Sequence, residues 1–204
     1  MPVLQSGDKN TKYDRKLADI LSAAAQVFAE EGYDRASIRT VAERAGVSVA
    51  GLYYYVRSKE ELLYQIQFYV FDELVQRFKS DGATIGEPQA RLELLVRNHL
   101  DRFLANMSEL IVCSREIDRI KGELGEKLDA KRREYFALVT RLFAELADQH
   151  GGGTVDARTA ALALFGSINW IYTWYKPGSG PTAAEMAQNL VRLYLRGVLP
   201  DTKD

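Results

Sequence analysis

Ser37-Ile-Arg-Thr-Val-Ala-Glu-Arg-Ala-Gly-Val-Ser-Val-Ala-Gly-Leu-Tyr-Tyr-Tyr-Val-Arg-Ser-Lys-Glu-Glu-Leu62 reads as two short helices joined by a glycine turn, followed by the start of a third. Ser37 fits an N-cap for a helix that carries Ile38, Val41, Ala42 and Ala45 inward and is closed by Gly46. Ser48 caps the next helix, from Val49 to about Tyr55, and Ser58 with Glu61 makes a capping box for a long helix reaching about Ser80. Helices this short do not stand alone, so the segment must be braced by tertiary packing.

Upstream, Leu17, Ile20, Leu21, Ala24, Val27 and Phe28 recur at helical spacing from Arg15, and Gly32 supplies a left-handed stop. Residues 1–12 are polar and unpatterned and read as a flexible tail. The organisation expected is a three-helix helix-turn-helix domain over 13–60 and a second domain over 61–204. In that second part, Pro88 suits the first turn of a helix reaching about Asn106. Helix signals continue over Ser108–Lys121 and Gly125–Gln149, and Gly151-Gly-Gly153 breaks the chain before a helix from about Val155 to Trp174. Pro177-Gly-Ser-Gly-Pro181 is a turn, and Thr182 with Glu185 caps a last helix to about Val198. No strand pattern appears, so the fold class is all-α with about nine helices.

The chain has 204 residues, 47% of them hydrophobic, enough to bury a full core. No apolar run approaches the roughly 20 residues of a membrane-spanning helix, and the opening lacks a signal peptide's apolar centre. A cytoplasmic protein with no membrane partner is expected. The single cysteine, Cys113, excludes an internal disulfide, and neither His99 nor His150 stands at ligand spacing from it. Neither a metal nor a resident cofactor is implied. Cys113 and His99 also lack the partner motif of an activated nucleophile, which argues against an enzyme.

The net charge of −1 is unevenly placed. Between Arg35 and Lys59 stand five basic residues, Arg35, Arg39, Arg44, Arg57 and Lys59, against the one acid Glu43. Such a local positive face suits the phosphates of double-stranded DNA. A helix that enters the major groove must project its N-terminal residues past the helix that braces it, and the turn Ala45-Gly46-Val47-Ser48 does so. The expected DNA-binding set is Ser37, Arg39, Thr40, Ser48, Val49, Ala50, Gly51, Tyr53, Tyr54 and Lys59. Ala50 and Gly51 allow close approach, Tyr53 and Tyr54 offer hydroxyls to phosphates, and Lys59 stands at a helix N-terminus that favours anions. For Arg35 and Arg44 the plain alternative is a solvated helix face.

Those residues carry a resemblance. Phe28, Gly32, Ala42-Glu43-Arg44-Ala45-Gly46-Val47-Ser48, Leu52-Tyr53-Tyr54-Tyr55 and Ser58-Lys59-Glu60-Glu61-Leu62 resemble the signature of the TetR family of bacterial one-component repressors. The resemblance implies an all-helical homodimer, a C-terminal ligand-binding and dimerisation bundle, a palindromic operator, and release of DNA when a small molecule binds. Val49 stands where the family often has a polar residue and Val56 where phenylalanine is usual. Val49 and Ala50 suit thymine methyl groups, which leaves specificity to Arg39, Tyr53, Tyr54 and DNA shape.

The C-terminal part carries no sharp motif. Small and apolar positions on its last two helices, Leu164, Ser167, Leu190, Leu193, Tyr194 and Gly197, suit close packing between two copies, the alternative being an intrachain core. The aromatic run from Trp170 to Tyr175 resembles the ending of family members that regulate fatty-acid and sterol degradation, which implies an acyl-CoA effector. An apolar tunnel for such a ligand is expected from Phe103, Leu104, Met107, Ile111, Phe136, Phe143, Phe165, Trp170 and Trp174, with Arg115 and Arg119 as cations for the CoA head. The competing reading is a drug-sensing repressor of an efflux system, in which Glu109, Glu116 or Asp118 meets a hydrophobic cation. A ligand-independent architectural DNA binder is a third. In the mechanism expected, ligand shifts the long helix that starts at Lys59 and changes the spacing of two reading heads.

Overall fold

Amphipathic spacing and end signals of the kind read above build nine α-helices and one 3-10 helix among the described residues, with no strand. The computed structural model describes residues 12–176, 178 and 180–198. The helices are α1 (Lys12–Glu31), α2 (Ile38–Arg44), α3 (Val49–Tyr53), α4 (Lys59–Asp81), α5 (Pro88–Ala105), α6 (Met107–Arg115), α7 (Gly122–Gln149), α8 (Ala157–Asn169) and α9 (Ala183–Val198), with the 3-10 turn over Trp170–Thr173. Of the tail expected over residues 1–12, residues 1–11 lie outside the described residues, as do Pro177 and Ser179 of the expected turn, and Lys12 belongs to α1.

Capping explains most boundaries. The Ser37 hydroxyl accepts from Thr40 N at 3.0 Å, Ser48 from Gly51 N at 3.0 Å and Ser58 from Glu61 N at 3.0 Å. At α9 the reciprocal box forms as expected: Glu185 N donates to the Thr182 hydroxyl at 3.2 Å and Thr182 N to the Glu185 carboxylate at 2.8 Å. Asp156, whose carboxylate accepts from Thr159 N, opens α8. Two expected helices are shorter than read. One ends at Arg115 rather than Lys121, and the other tightens into the 3-10 turn after Asn169, where the aromatic cluster Trp170-Ile-Tyr172 begins.

The chain divides into two compact units, the first of which runs past the boundary expected after residue 60. The first unit holds the described residues up to Glu73 together with Asn106–Arg132. Its core joins Leu17, Ile20, Leu21, Ala24, Val27 and Phe28 of α1 to Val41 and Ala42 of α2, Leu52 of α3, and Leu62, Leu63 and Ile66 of α4. Val112, Ile120 and Leu128 complete it from much later in the sequence. The first turns of α4 share this core through Leu62, Leu63 and Ile66, beyond the boundary expected after residue 60. The second unit holds Leu74–Ala105 and residues from Arg133 onward. There α5 packs against α8 and α9, burying Leu92, Leu95, Val96, Leu100 and Phe103 with Leu142, Phe143, Leu146, Leu164, Ile168 and Val191.

Candidate nucleic-acid interface and effector core

The α2–α3 elbow is set by hydrogen bonds that end one helix and aim the next. Gly46 has φ +63°, a left-handed conformation that costs a residue with a side chain about 1 kcal/mol. Its N–H reaches Glu43 O at 3.2 Å, and Val47 N reaches Ala42 O at 3.0 Å, closing the paired bonds of a glycine C-cap. From α1, Lys16 donates to the Ala45 carbonyl at 3.0 Å and so fixes the end of α2. Gly51 faces the Ser48 cap: a β-carbon there would stand 3.1 Å from Ser48 Oγ. A side chain there would require the Ser48 hydroxyl to shift by a few tenths of an ångström.

α3 is only five residues long and is held by Leu52 and by the following Val56, both buried. Apart from half-buried Gly51, the rest of it faces out. Ser48, Val49 and Ala50 are exposed, Tyr53 is 49% exposed and Tyr54 is 74% exposed. Tyr54 is steadied edge-on by Tyr55, with ring centroids 5.2 Å apart, and by Tyr13 of α1 at 6.0 Å. Ser37 is exposed and Thr40 half-buried, their hydroxyls 2.9 Å apart. Arg39 is exposed and pairs only loosely with Glu43 of its own helix at 3.1 Å. Arg44 instead forms a two-pronged ion pair with Glu30, at 2.8 and 3.0 Å, tying α2 to α1. That contact draws the Glu30 carboxyl below the usual carboxylate range.

Lys59, expected at a phosphate, has partners within its own unit. Its ammonium donates to the carbonyls of Tyr33 at 2.8 Å, Ala36 at 3.1 Å and Asp34 at 3.3 Å, and lies 4.5 Å from the Tyr33 ring centroid. The three carbonyls take its three protons, so here the side chain organises the α1–α2 loop. Arg119, expected at a CoA head, is likewise committed within the first unit. It pairs with Asp34 and with Glu116, the latter at 3.1 Å, and faces the Tyr33 ring.

The remaining expected ligand residues are divided between the units. Met107, Ile111 and Arg115 belong to the first, with Met107 and Ile111 half-buried and Arg115 exposed. In the second, Phe103 and Phe143 are buried, and Leu104, Phe136 and Phe165 are half-buried. Phe165 gathers Tyr135 at 5.5 Å, Phe136 at 5.9 Å and His99 at 6.2 Å between ring centroids. Trp170 and Trp174 do not join this cluster. They are 60% and 56% exposed, while Ile171 of the 3-10 turn is buried.

The outer face of α8 and α9 is apolar. Leu162 is 53% and Leu193 67% exposed, flanked by exposed Ala163, Gly166 and Gly197 and half-buried Leu190. The Tyr194 hydroxyl donates to the Ala163 carbonyl at 2.8 Å and lies 2.6 Å from Ser167 Oγ, locking the two helices together. Leu164 corrects the expected interface set: it is fully buried in its own unit, one residue out of phase with the outward stripe.

Sequence reading missed Lys16, Tyr13 and Leu162. Lys16 and Tyr13 precede the motif and act on it from another helix, which no local pattern reveals. Leu162 was available from helical phase, since it lies four residues before Gly166. Among the described residues no helix is long and apolar enough to cross a membrane, and no three His, Cys, Asp or Glu side chains stand together as metal ligands.

Comparison with known proteins places this architecture. Residues 20–66 match the model of bacterial regulatory proteins of the tetR family, and residues 86–198 that of the tetracyclin repressor-like C-terminal domain. The HTH-type transcriptional repressor KstR2 of Rhodococcus jostii is 26% identical, covering 94% of this chain and 94% of its own. The fatty acid metabolism regulator protein of Bacillus subtilis is 22% identical, covering 90% of this chain and 95% of its own. The crystal structure of AibR in complex with isovaleryl coenzyme A and operator DNA is 27% identical with a TM-score of 0.75, covering 87% of this chain and 97% of that one. These matches name regulators, not enzymes, and the chain belongs to the TetR family of bacterial regulatory proteins.

Proposed function

We propose that the chain is a homodimeric transcriptional repressor that reads a palindromic operator through α3 and leaves it when a fatty acyl-CoA binds. The observation that carries the DNA half is the division of α3: Leu52 anchors it, while Val49, Ala50, Tyr53 and Tyr54 stand exposed beyond a capped glycine elbow. In this reading Val49 and Ala50 meet thymine methyls, and Tyr53, Tyr54, Arg39, Ser37, Thr40 and Ser48 meet the backbone.

The effector class is supported by relatives. One is named for fatty acid metabolism, and a structural neighbour is described in complex with isovaleryl coenzyme A. The second unit's ring cluster of Phe103, Tyr135, Phe136 and Phe165 supplies surface suited to an acyl chain. The hydrophobic-cation alternative loses Glu116, whose carboxylate is already paired with Arg119. Two copies would join through the outer face of α8 and α9, where Leu162 and Leu193 are exposed. α4, continuous from Lys59 to Asp81, is the covalent path from effector to reading head. Native mass spectrometry of the full chain with free CoA and a series of acyl-CoAs tests the reading. A dimer that takes up acyl-CoAs but not free CoA supports it, and a dimer that takes up neither removes the effector assignment.

A further inference from the structure

The second unit contains a polar group that its own fold leaves unanswered. His99 of α5 is 1% exposed, and rings surround it: Phe103 edge-on at 4.6 Å, Tyr135 parallel at 6.1 Å and Phe165 at 6.2 Å between centroids. Its Nδ1 lies 3.3 Å from the Tyr135 hydroxyl. Its Nε2 is buried and has no hydrogen-bond partner. The Asn169 side chain of α8 is placed to hydrogen-bond the ring and favours its charged form, but no bond of normal geometry closes on Nε2. Burial outweighs that influence and pushes the imidazole down to about 3, so the ring is neutral at working pH.

A neutral imidazole has one donor and one acceptor nitrogen. When Nδ1 accepts from the Tyr135 hydroxyl, the ring proton sits on Nε2, where the neighbouring rings accept it poorly and no group meets it in normal hydrogen-bond geometry. Buried donors are almost always paired, and an orphan carries its full desolvation penalty until something meets it. A neutral donor in an apolar cage does not select a phosphate or a carboxylate, whose charge would be stranded there. It suits an uncharged oxygen carried on an otherwise apolar ligand.

We infer that His99 Nε2 is the polar anchor for a hydroxyl or keto oxygen on the acyl chain of the effector, so that the chain distinguishes oxygenated acyl-CoAs from saturated ones. This rests on the acyl-CoA reading above. The Tyr135 hydroxyl fixes the tautomer, and Phe103 and Phe165 exclude water and hold the carbon chain on either side of the oxygen.

The test is calorimetric titration of the full-length protein with butyryl-, octanoyl- and palmitoyl-CoA and with the 3-hydroxy and 3-oxo form of each. For at least one chain length the wild-type protein is expected to favour an oxygenated form about tenfold, which corresponds to about 1.4 kcal/mol. His99→Phe should bring that ratio to about one, and His99→Gln, which keeps a donor, should retain part of it. The readout is a ratio within one protein, so a general loss of stability in a variant cancels. If His99→Phe does not fold, the wild-type and His99→Gln ratios still decide. Equal wild-type affinity for matched forms overturns the anchor while leaving the acyl-CoA reading intact, as does selectivity that survives in His99→Phe. Equal loss of all acyl-CoAs in His99→Phe overturns it in favour of the thioester carbonyl as the group bound. Failure of every acyl-CoA to bind wild-type protein overturns both readings.

Discussion

The Lys59 ammonium donates to the Tyr33 carbonyl at 2.8 Å while standing 4.5 Å from the centroid of the same residue's ring. A helix-start lysine that sequence alone directs at a phosphate thus joins the first turn of α4 to the α1–α2 loop. Lys59→Met should destabilise the first unit by about 1–3 kcal/mol, because three loop carbonyls lose a charged donor. Operator affinity should fall with it, but the salt dependence of binding should keep its slope. A slope flattened by about 0.9 would instead mark a lost phosphate contact.

Tyr53 and Tyr54 offer the opposite case. Their hydroxyls are exposed and neither supports the core. Tyr53→Phe and Tyr54→Phe should leave the unfolding midpoint unchanged and weaken DNA binding roughly tenfold or more across all sequences, the worth of one hydrogen bond to a charged phosphate. The salt slope should hold, since no charge is removed, whereas Arg39→Ala should flatten it by about 0.9. Fluorescence anisotropy over a salt series reads all three variants.

At the elbow, Gly51→Ala places a methyl group 3.1 Å from Ser48 Oγ, the atom that caps α3. The cap must give way, so a loss of about 1 kcal/mol is expected, similar to Ser48→Ala. The double variant should cost little more than either single one, because both remove the same bond. Additive losses in urea unfolding would contradict this.

The outer stripe on α8 and α9 makes a paired prediction. Leu193→Arg should convert the dimer to monomer with little change in the monomer's secondary structure, since the side chain is 67% exposed. Leu164→Ala should lower stability by about 2–5 kcal/mol, since that side chain is fully buried in its own unit. Analytical ultracentrifugation and thermal unfolding separate the two.

His99 gives the protein an acid sensitivity. Its folded pKa of about 3 lies below the ordinary 6.5, so between those values the unfolded chain binds a proton that the folded chain refuses. Stability from this group is full above pH 6.5 and declines on acidification toward pH 3, at up to about 1.4 kcal/mol per pH unit. His99→Phe should flatten that decline, as measured by urea midpoints on either side of pH 6.5.

The helices and the reading head were legible in sequence because their signals are local. Ser37, Ser48, Ser58 and Thr182 each cap a helix start, and Gly46 turns the elbow with a positive φ. What was not legible depends on contacts across the chain. Val112, Ile120 and Leu128 return to the first unit's core from far downstream, which no local pattern announces. Arg119 has the composition of a CoA cation but is taken by Asp34, a partner 85 residues away. Trp170 and Trp174 have the size of a tunnel lining but stand largely exposed, at and just after the 3-10 turn where the helical phase breaks.

The most direct test of the account is anisotropy of a labelled duplex, recovered by selection against the full-length protein, titrated with acyl-CoA and with free CoA. Release of the duplex by acyl-CoA and not by free CoA is the result expected. A duplex that stays bound at saturating acyl-CoA would contradict the assignment of this chain as an acyl-CoA-responsive repressor.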